Sequence, residues 1–268
     1  PLTHTAHASR PWMSAFDAEI LALVERASQA ELLESLNHLA QACHLKTGYG
    51  LPLRFVDQSV LDPKRPYEFF IAQTGCIPTR DNLHDRYNAL MWLTAPRTKA
   101  RLNQLQAQAM EKNLESLRRG PLRDAATLWD ENLAIILASD DEEKIRGLLR
   151  SQNWRAIFLE ERECWLTNEA QGGKWPRWQV FVFGHALLEK LENPYKSITA
   201  HTLVLRVCER SWNSVDVVLS AQLDAKLTTK RFTPLPLMGL PGWAENNDRP
   251  EFYADERVFR KPKARGWA

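Results

Sequence analysis

The sequence has no glycine-rich phosphate loop: neither G-x-x-x-x-G-K nor G-x-G-x-x-G occurs in its 268 residues. That takes away the P-loop and dinucleotide-binding fingerprints. G-x-S-x-G is also missing, so there is no case for a serine-hydrolase elbow. No long apolar run is present either. The longest, Leu133 to Ala138, is far too short to cross a bilayer. The opening stretch lacks the charged-then-apolar pattern of a signal peptide, and no membrane partner is expected. Cysteine is scarce. Cys43, Cys76, Cys164 and Cys208 form no C-x-x-C pair, which predicts separate thiols in a reducing compartment, the cytoplasm. Net charge is only +2, which by itself gives no reason to expect nucleic acid. The charge is uneven, however: nine Lys/Arg stand against five Asp/Glu from Lys226 onward.

What is present is ordinary globular material. Hydrophobic residues make up 44% and charged residues 25%, so a disordered or fibrous chain is excluded. The spacing of Phe16, Ile20, Leu23 and Val24, then Leu32, Leu33, Leu36 and Leu39, predicts helices until Gly48, Gly50 and Pro52. Two more helices are expected over about 81–94, capped by Asp81 or Asn82, and 97–118, separated by Pro96. Residues 125–138 read as a β-hairpin whose turn is Asp130-Glu131-Asn132. Strands are expected at Trp178 to Phe183 and Ile198 to Cys208, and helices over 142–151, 154–165, 185–191 and 215–227. The prolines beyond Phe232 exclude regular helix there. The fold class expected is therefore α+β: a single domain with a helical N-terminal half, an antiparallel sheet with helices in the second half, and an irregular C-terminal tail. Its limits are a flexible lead over 1–13, the domain over 14–231, and over 232–268 a tail pinned by Leu237, Leu240, Trp243 and Phe252.

Several blocks carry a resemblance. They are Ile77-Pro-Thr-Arg-Asp-Asn-Leu-His-Asp-Arg-Tyr-Asn-Ala-Leu-Met-Trp92 with Pro96-Arg-Thr-Lys-Ala-Arg-Leu-Asn103; Arg119-Gly-Pro-Leu-Arg-Asp-Ala-Ala-Thr-Leu-Trp-Asp-Glu-Asn132; Phe183-Gly-His-Ala-Leu-Leu-Glu-Lys-Leu191 with Pro194 and Thr199-Ala-His201; and Leu237-Met-Gly-Leu-Pro-Gly-Trp243 with Phe252-Tyr253. In content and order the chain resembles a bacterial family catalogued as domain of unknown function 3025, over roughly residues 67 to 260. The resemblance implies no activity. One departure is Leu133, where the family often has Gly.

Four constellations could carry chemistry. His185 and Glu189 share a helical face, and a short loop returns the chain to His201. Two His and one carboxylate form a ligand set for a divalent metal. The competing reading has His185 bonded to backbone. The doublet His84-Asp85, with Arg86 and Asn88, has the HD pattern of metal-dependent phosphohydrolases if His44 and Asp124 complete it; otherwise His84 and Asn88 fix a helix corner. On a strand, Asp124 and Asp130 would face the same way beside Arg123 and act as acid and base; the alternative is a solvated hairpin tip. The cations Arg97, Lys99, Arg101, Arg119, Arg123 and Lys196 suit phosphate or carboxylate.

Two functions follow. The first is a hydrolase or transferase acting on a small anionic substrate. In it His84, Asp124, Asp130, His185 and His201 are catalytic, and Arg86, Asn88, Lys99, Arg123 and Lys196 bind the substrate. The second is a non-catalytic module that contacts nucleic acid or a protein through the basic tail and through Trp175 and Trp178 beside Lys174 and Arg177. The sharpest expectation is that His185 and His201 face one cleft.

Overall fold

The computed structural model describes residues 10–112, 120–138, 141–167, 175–207 and 209–261. Most of the expected flexible lead, together with Arg119, Lys174 and Cys208, lies outside the described residues.

The N-terminal part is mainly helical. Helix α1 (Ala18–Arg26) starts at Asp17, whose carboxylate accepts from the Glu19 and Ile20 amides. Helix α2 (Gln29–Ala42) starts with a reciprocal Ser28/Glu31 capping box. Strand β1 (Arg54–Asp57), helix α3 (Tyr67–Thr74) and strand β2 (Cys76–Thr79) follow, and β1 and β2 pair in parallel. This small sheet gave no signal in the sequence.

Helix α4 (Leu83–Thr94) is the axis of the helical layer. Asn82 caps it, and every residue from Asp85 to Trp92 is buried. A helix apolar on one face only would leave a wet side. Helix α4 instead carries polar groups inward on that side, and they find partners there. Helix α5 (Pro96–Lys112) begins after the expected proline break. Its first amides are satisfied from a distance: the buried Asp216 carboxylate accepts from Arg97 N at 3.0 Å and Thr98 N at 2.8 Å.

Residues 125–138 do not form a hairpin. Helix α6 (Pro121–Asn132) runs straight into strand β3 (Leu133–Ala138). Pro121 suits the first turn of a helix, and the residues taken for a turn are its last three. Helix α7 (Glu142–Arg150), strand β4 (Trp178–Val182), helix α8 (His185–Leu191), strand β5 (Thr199–Arg206), helix α9 (Trp212–Ala221) and strand β6 (Thr233–Pro236) complete the order. The expected helix over 154–165 is a short π turn at Ala156–Glu160 followed by a 3-10 turn.

The main sheet has the order β4-β3-β5-β6. Strand β3 is antiparallel to β4 and parallel to β5, and β5 is antiparallel to β6, so the sheet is mixed rather than antiparallel throughout. All six residues of β3 are buried, which is what an uninterrupted apolar run requires of a central strand. The chain is thus α+β, a single domain with one contiguous core. Its last segment contributes β6 to the sheet edge before becoming irregular, and Trp243 and Phe252 pack partly buried against the core. Among the described residues no helix is long and apolar enough to cross a membrane.

Candidate functional site

Where α6 meets β3, a Cβ on Gly184 would lie 2.4 Å from the Glu131 carbonyl oxygen and 2.6 Å from the Asn132 nitrogen. Only glycine lets the start of α8 come this close. The approach sets His185, the first residue of α8, under the C-terminal end of α6. Carbonyls there have no intrahelical partner. His185 Nδ1 takes one of them, Asp130 O, at 2.8 Å.

A connected chain of polar side chains begins at that point. His185 Nε2 lies 3.1 Å from His84 Nε2 on α4, with the two rings edge to face. His84 Nδ1 lies 3.0 Å from Glu189 Oε2, one turn along α8. On the buried side, Asp130 Oδ2 is 3.8 Å from His185 Nδ1, and Asp130 Oδ1 accepts from Lys99 Nζ at 2.5 Å. Lys99 also donates to Asn88 Oδ1 at 2.7 Å, and Asn88 Nδ2 donates to the Tyr67 hydroxyl at 3.0 Å. Nearby, Asn103 Nδ2 donates to Glu68 Oε2 at 2.6 Å. Lys99, Asn88, Asp130 and His185 are all buried, whereas His84 is one-third and Glu189 nearly half exposed. The chain therefore reaches solvent at the His84–Glu189 end.

The charges follow from the surroundings. Burial pushes the His185 imidazole down to about 4, more than the Asp130 carboxylate pulls it up. Burial also works against an ionised Asp130, yet the Lys99 ammonium, by its charge and its hydrogen bond, brings the carboxyl net below the usual range. Glu68 is raised, first by burial and then by the charge on Asp130.

The proton positions follow from the donor and acceptor roles. A carbonyl only accepts, so His185 Nδ1 carries hydrogen; a neutral His185 then presents a lone pair at Nε2. His84 Nδ1 faces an acceptor too, the Glu189 carboxylate. If His84 were neutral with Nδ1 protonated, two Nε2 lone pairs would face each other at 3.1 Å. The contact becomes a hydrogen bond when His84 is an imidazolium that donates through both nitrogens.

Six sequence candidates are therefore brought together: His84, Asn88, Lys99, Asp130, His185 and Glu189. The others go elsewhere. His201 pairs with Asn132 across 3.0 Å and packs edge-on against Phe232; no hydrogen bond or ring contact among the described residues joins it to His185. Burial, then Lys190, lowers its pKa. The expected His185–His201 cleft is thus replaced by a His185–His84 contact. The reason is that β5 lies parallel to β3 with His201 opposite Leu133, where Asn132 takes the ring.

The metal set His185, Glu189 and His201 does not converge: His185 and Glu189 both turn to His84, while His201 is taken by Asn132. Among the described residues no group of three or more His, Cys, Asp and Glu is arranged to hold a metal ion. Asp124 and Asp130 are on a helix six residues apart, not on one strand face; Asp124 is exposed in the first turn while Asp130 is buried in the last. The HD set does not assemble either: Asp85 is held by Arg80, and His44 is exposed beyond the end of α2.

The cations are mostly structural. Arg86 is buried, pairs with Asp81 and donates to the Val24 and Ala27 carbonyls, tying α4 to α1. Lys196 sits near Asp255 at 3.8 Å and over the Phe252 ring at 4.4 Å, holding the tail. Arg123 is partly buried in the first turn of α6, beside Asp124. Trp178 is fully buried and bonded to Asp141, so it cannot stack with a base beside the exposed Trp175. Tyr67, Glu68 and Asn103 belong to the polar cluster although their residue types alone did not single them out. Asn103 did stand in a resembling block.

Fold and site define an α+β protein with a charged, histidine-centred chain running from its interior to its surface. The chain belongs to the family described as "Protein of unknown function (DUF3025)", whose model matches residues 53–263. No curated protein and no solved structure matches it.

Proposed function

We propose that this protein is a cytoplasmic hydrolase or transferase that uses His84 for acid–base catalysis on a small anionic substrate. The observation that carries the proposal is the His84–His185 contact, in which both Nδ1 atoms face acceptors and the Nε2 pair needs a proton. An imidazolium so held is a ready proton donor. Its Nδ1–H points at Glu189, a partly exposed carboxylate, and a substrate carboxylate or phosphate oxygen has the chemistry to take that place. Arg80 supports an anion there: its side chain is half exposed and feels the charge of Glu189.

His84 passes its Nδ1 proton to the leaving oxygen as water or an acceptor alcohol attacks the phosphorus or acyl carbon, the attacking oxygen giving up its own proton to solvent. His84, now the neutral Nε2–H tautomer, keeps its bond to His185 and regains an Nδ1 proton from solvent. His185 is a positioning residue, fixed by the Asp130 carbonyl, and Lys99 and Asp130 keep that carbonyl in place. A cytoplasmic setting agrees with Cys43, Cys76 and Cys164 being free thiols.

The test is turnover of phenyl phosphate, diphenyl phosphate and the hemisuccinate ester of phenol, whose phenoxide leaving group needs a proton. The expected result is activity with at least one, lowered by about 100-fold or more in His84→Gln. Absence of turnover across the panel, or full activity in His84→Gln, contradicts the reading.

A further inference from the structure

A second feature is independent of the histidine centre. Between the end of α7, the start of β5, strand β6 and the chain after Asp255 lies a cleft of about 660 Å³. It is larger than the clefts of about 390 Å³ between α1 and α2 and about 420 Å³ beside α2. Arg150, Arg257, Arg260 and Lys261 line it, and among the described residues no Asp or Glu does. Charge of one sign in a concave wall focuses potential on whatever enters.

These cations are held only at the surface: Arg260 Nε donates to the Arg257 carbonyl at 2.9 Å, and the other three meet carboxylates there. Arg150 reaches Glu143 only at 3.6 Å, Arg257 meets Asp255 at 3.2 Å, and Lys261 meets Glu256 at 2.9 Å. All three basic side chains are at least two-thirds exposed, and pairs of that kind contribute little and exchange readily. The Ser197 hydroxyl supplies a neutral donor on the same wall, while the Thr199 hydroxyl donates to the Ser197 carbonyl and leaves its lone pairs free to accept.

The wall also has an apolar part, formed by Pro234 and Pro236 of β6 and by Val258. The prolines lack N–H groups, so this edge of the sheet offers a smooth surface rather than strand donors. The segment carrying the cations is held in place. Trp154 Nε1 donates to the Arg260 carbonyl at 2.6 Å, and Phe259 is buried against Phe158, which stacks on Tyr253. The basic residues thus stand on an anchored turn.

We propose that this cleft binds a nucleotide, with the phosphates held by Arg150, Arg257, Arg260 and Lys261 and the flat base lying on the Pro234–Pro236 surface. The volume matches that of a small-molecule pocket, and the split into a cationic and an apolar part matches a ligand with one anionic and one planar end. The cleft shares no residue with the His84 chain, so the two proposals stand or fall separately.

The experiment is calorimetric titration of the full chain with ATP, GTP, CTP and UTP, and with adenosine, inorganic pyrophosphate and a single-stranded oligonucleotide as comparisons. At least one nucleoside triphosphate should bind below about 1 mM, tighter than pyrophosphate, while adenosine should not bind. Arg150→Gln and Arg257→Gln alter exposed side chains, and each should weaken binding by about tenfold. Circular dichroism checks that both remain folded. The proposal is overturned by any of four results: no triphosphate binding, equal affinity for pyrophosphate, binding that both variants leave unchanged, or binding of the oligonucleotide alone.

Discussion

Ion pairs occur in two settings in this molecule, and they do opposite work. Around α4, α5, α6 and α8, Lys99 and Asp130 meet in the interior and hold a histidine pair that reaches solvent only through His84. Along the last described segment, Arg257 and Lys261 meet Asp255 and Glu256 in the open. Inside, each charge has been taken out of water and depends on its partner, so removing one strands the other. Outside, water replaces a lost partner at almost no cost. The interior pairs therefore fix geometry, and the exposed ones leave cations free for a ligand.

The largest effect expected is at Lys99. Lys99→Met leaves Asp130 buried without its counter-ion and should cost about 3–5 kcal/mol in urea unfolding. Lys99→Met combined with Asp130→Leu removes both charges and should recover most of that loss. If the single variant unfolds like wild type, the interior pair is not what holds the site.

The next effect depends on pH. The folded pKa of His185 is about 4, below the unfolded value of about 6.5, so the unfolded chain binds this proton first. The stabilisation is complete above the unfolded pKa and is lost as pH falls through the folded one. Between those limits it amounts to about 3 kcal/mol. In His185→Gln the stability curve should be flatter by that amount over this window, measured by denaturant titrations at a series of pH values. Parallel curves for variant and wild type would mean that His185 is not held neutral.

The smallest effect sharpens the contrast from the other side. Arg257→Gln should change stability by less than about 0.5 kcal/mol. A loss comparable to that of Lys99→Met would erase the distinction between the two regions.

How far the sequence shows these regions depends on which forces act locally. Strands β4 and β5 and helix α8 are legible because apolar runs, Gly184 and Pro194 mark them within a few residues. Helix α6 is not, since Asp130-Glu131-Asn132 has turn chemistry and no loop separates the helix from β3. An aspartate in a last helical turn is unfavourable by itself. Here Lys99, from another helix 31 residues earlier, offsets it, and no local pattern carries that information. The same limit applies to the site. His84 and His185 each stood out among polar neighbours, but their contact spans 101 residues and depends on how α8 packs against α4. The short loop after α8 pointed to His201 instead. The basic tail was visible as composition. That it lines a cleft depends on Trp154 and Phe158 anchoring it.

The most direct measurement of the central claim is where the protons lie on the two histidines, read by nitrogen-15 NMR of the imidazole rings. The expected spectrum has His84 protonated at both nitrogens, its Nε2 proton shared with His185, and His185 neutral with hydrogen on Nδ1. In His185→Gln the shared-proton signal should vanish. A spectrum in which His84 is neutral, or in which no coupling links the two Nε2 atoms, would contradict the assignment of His84 as the proton donor.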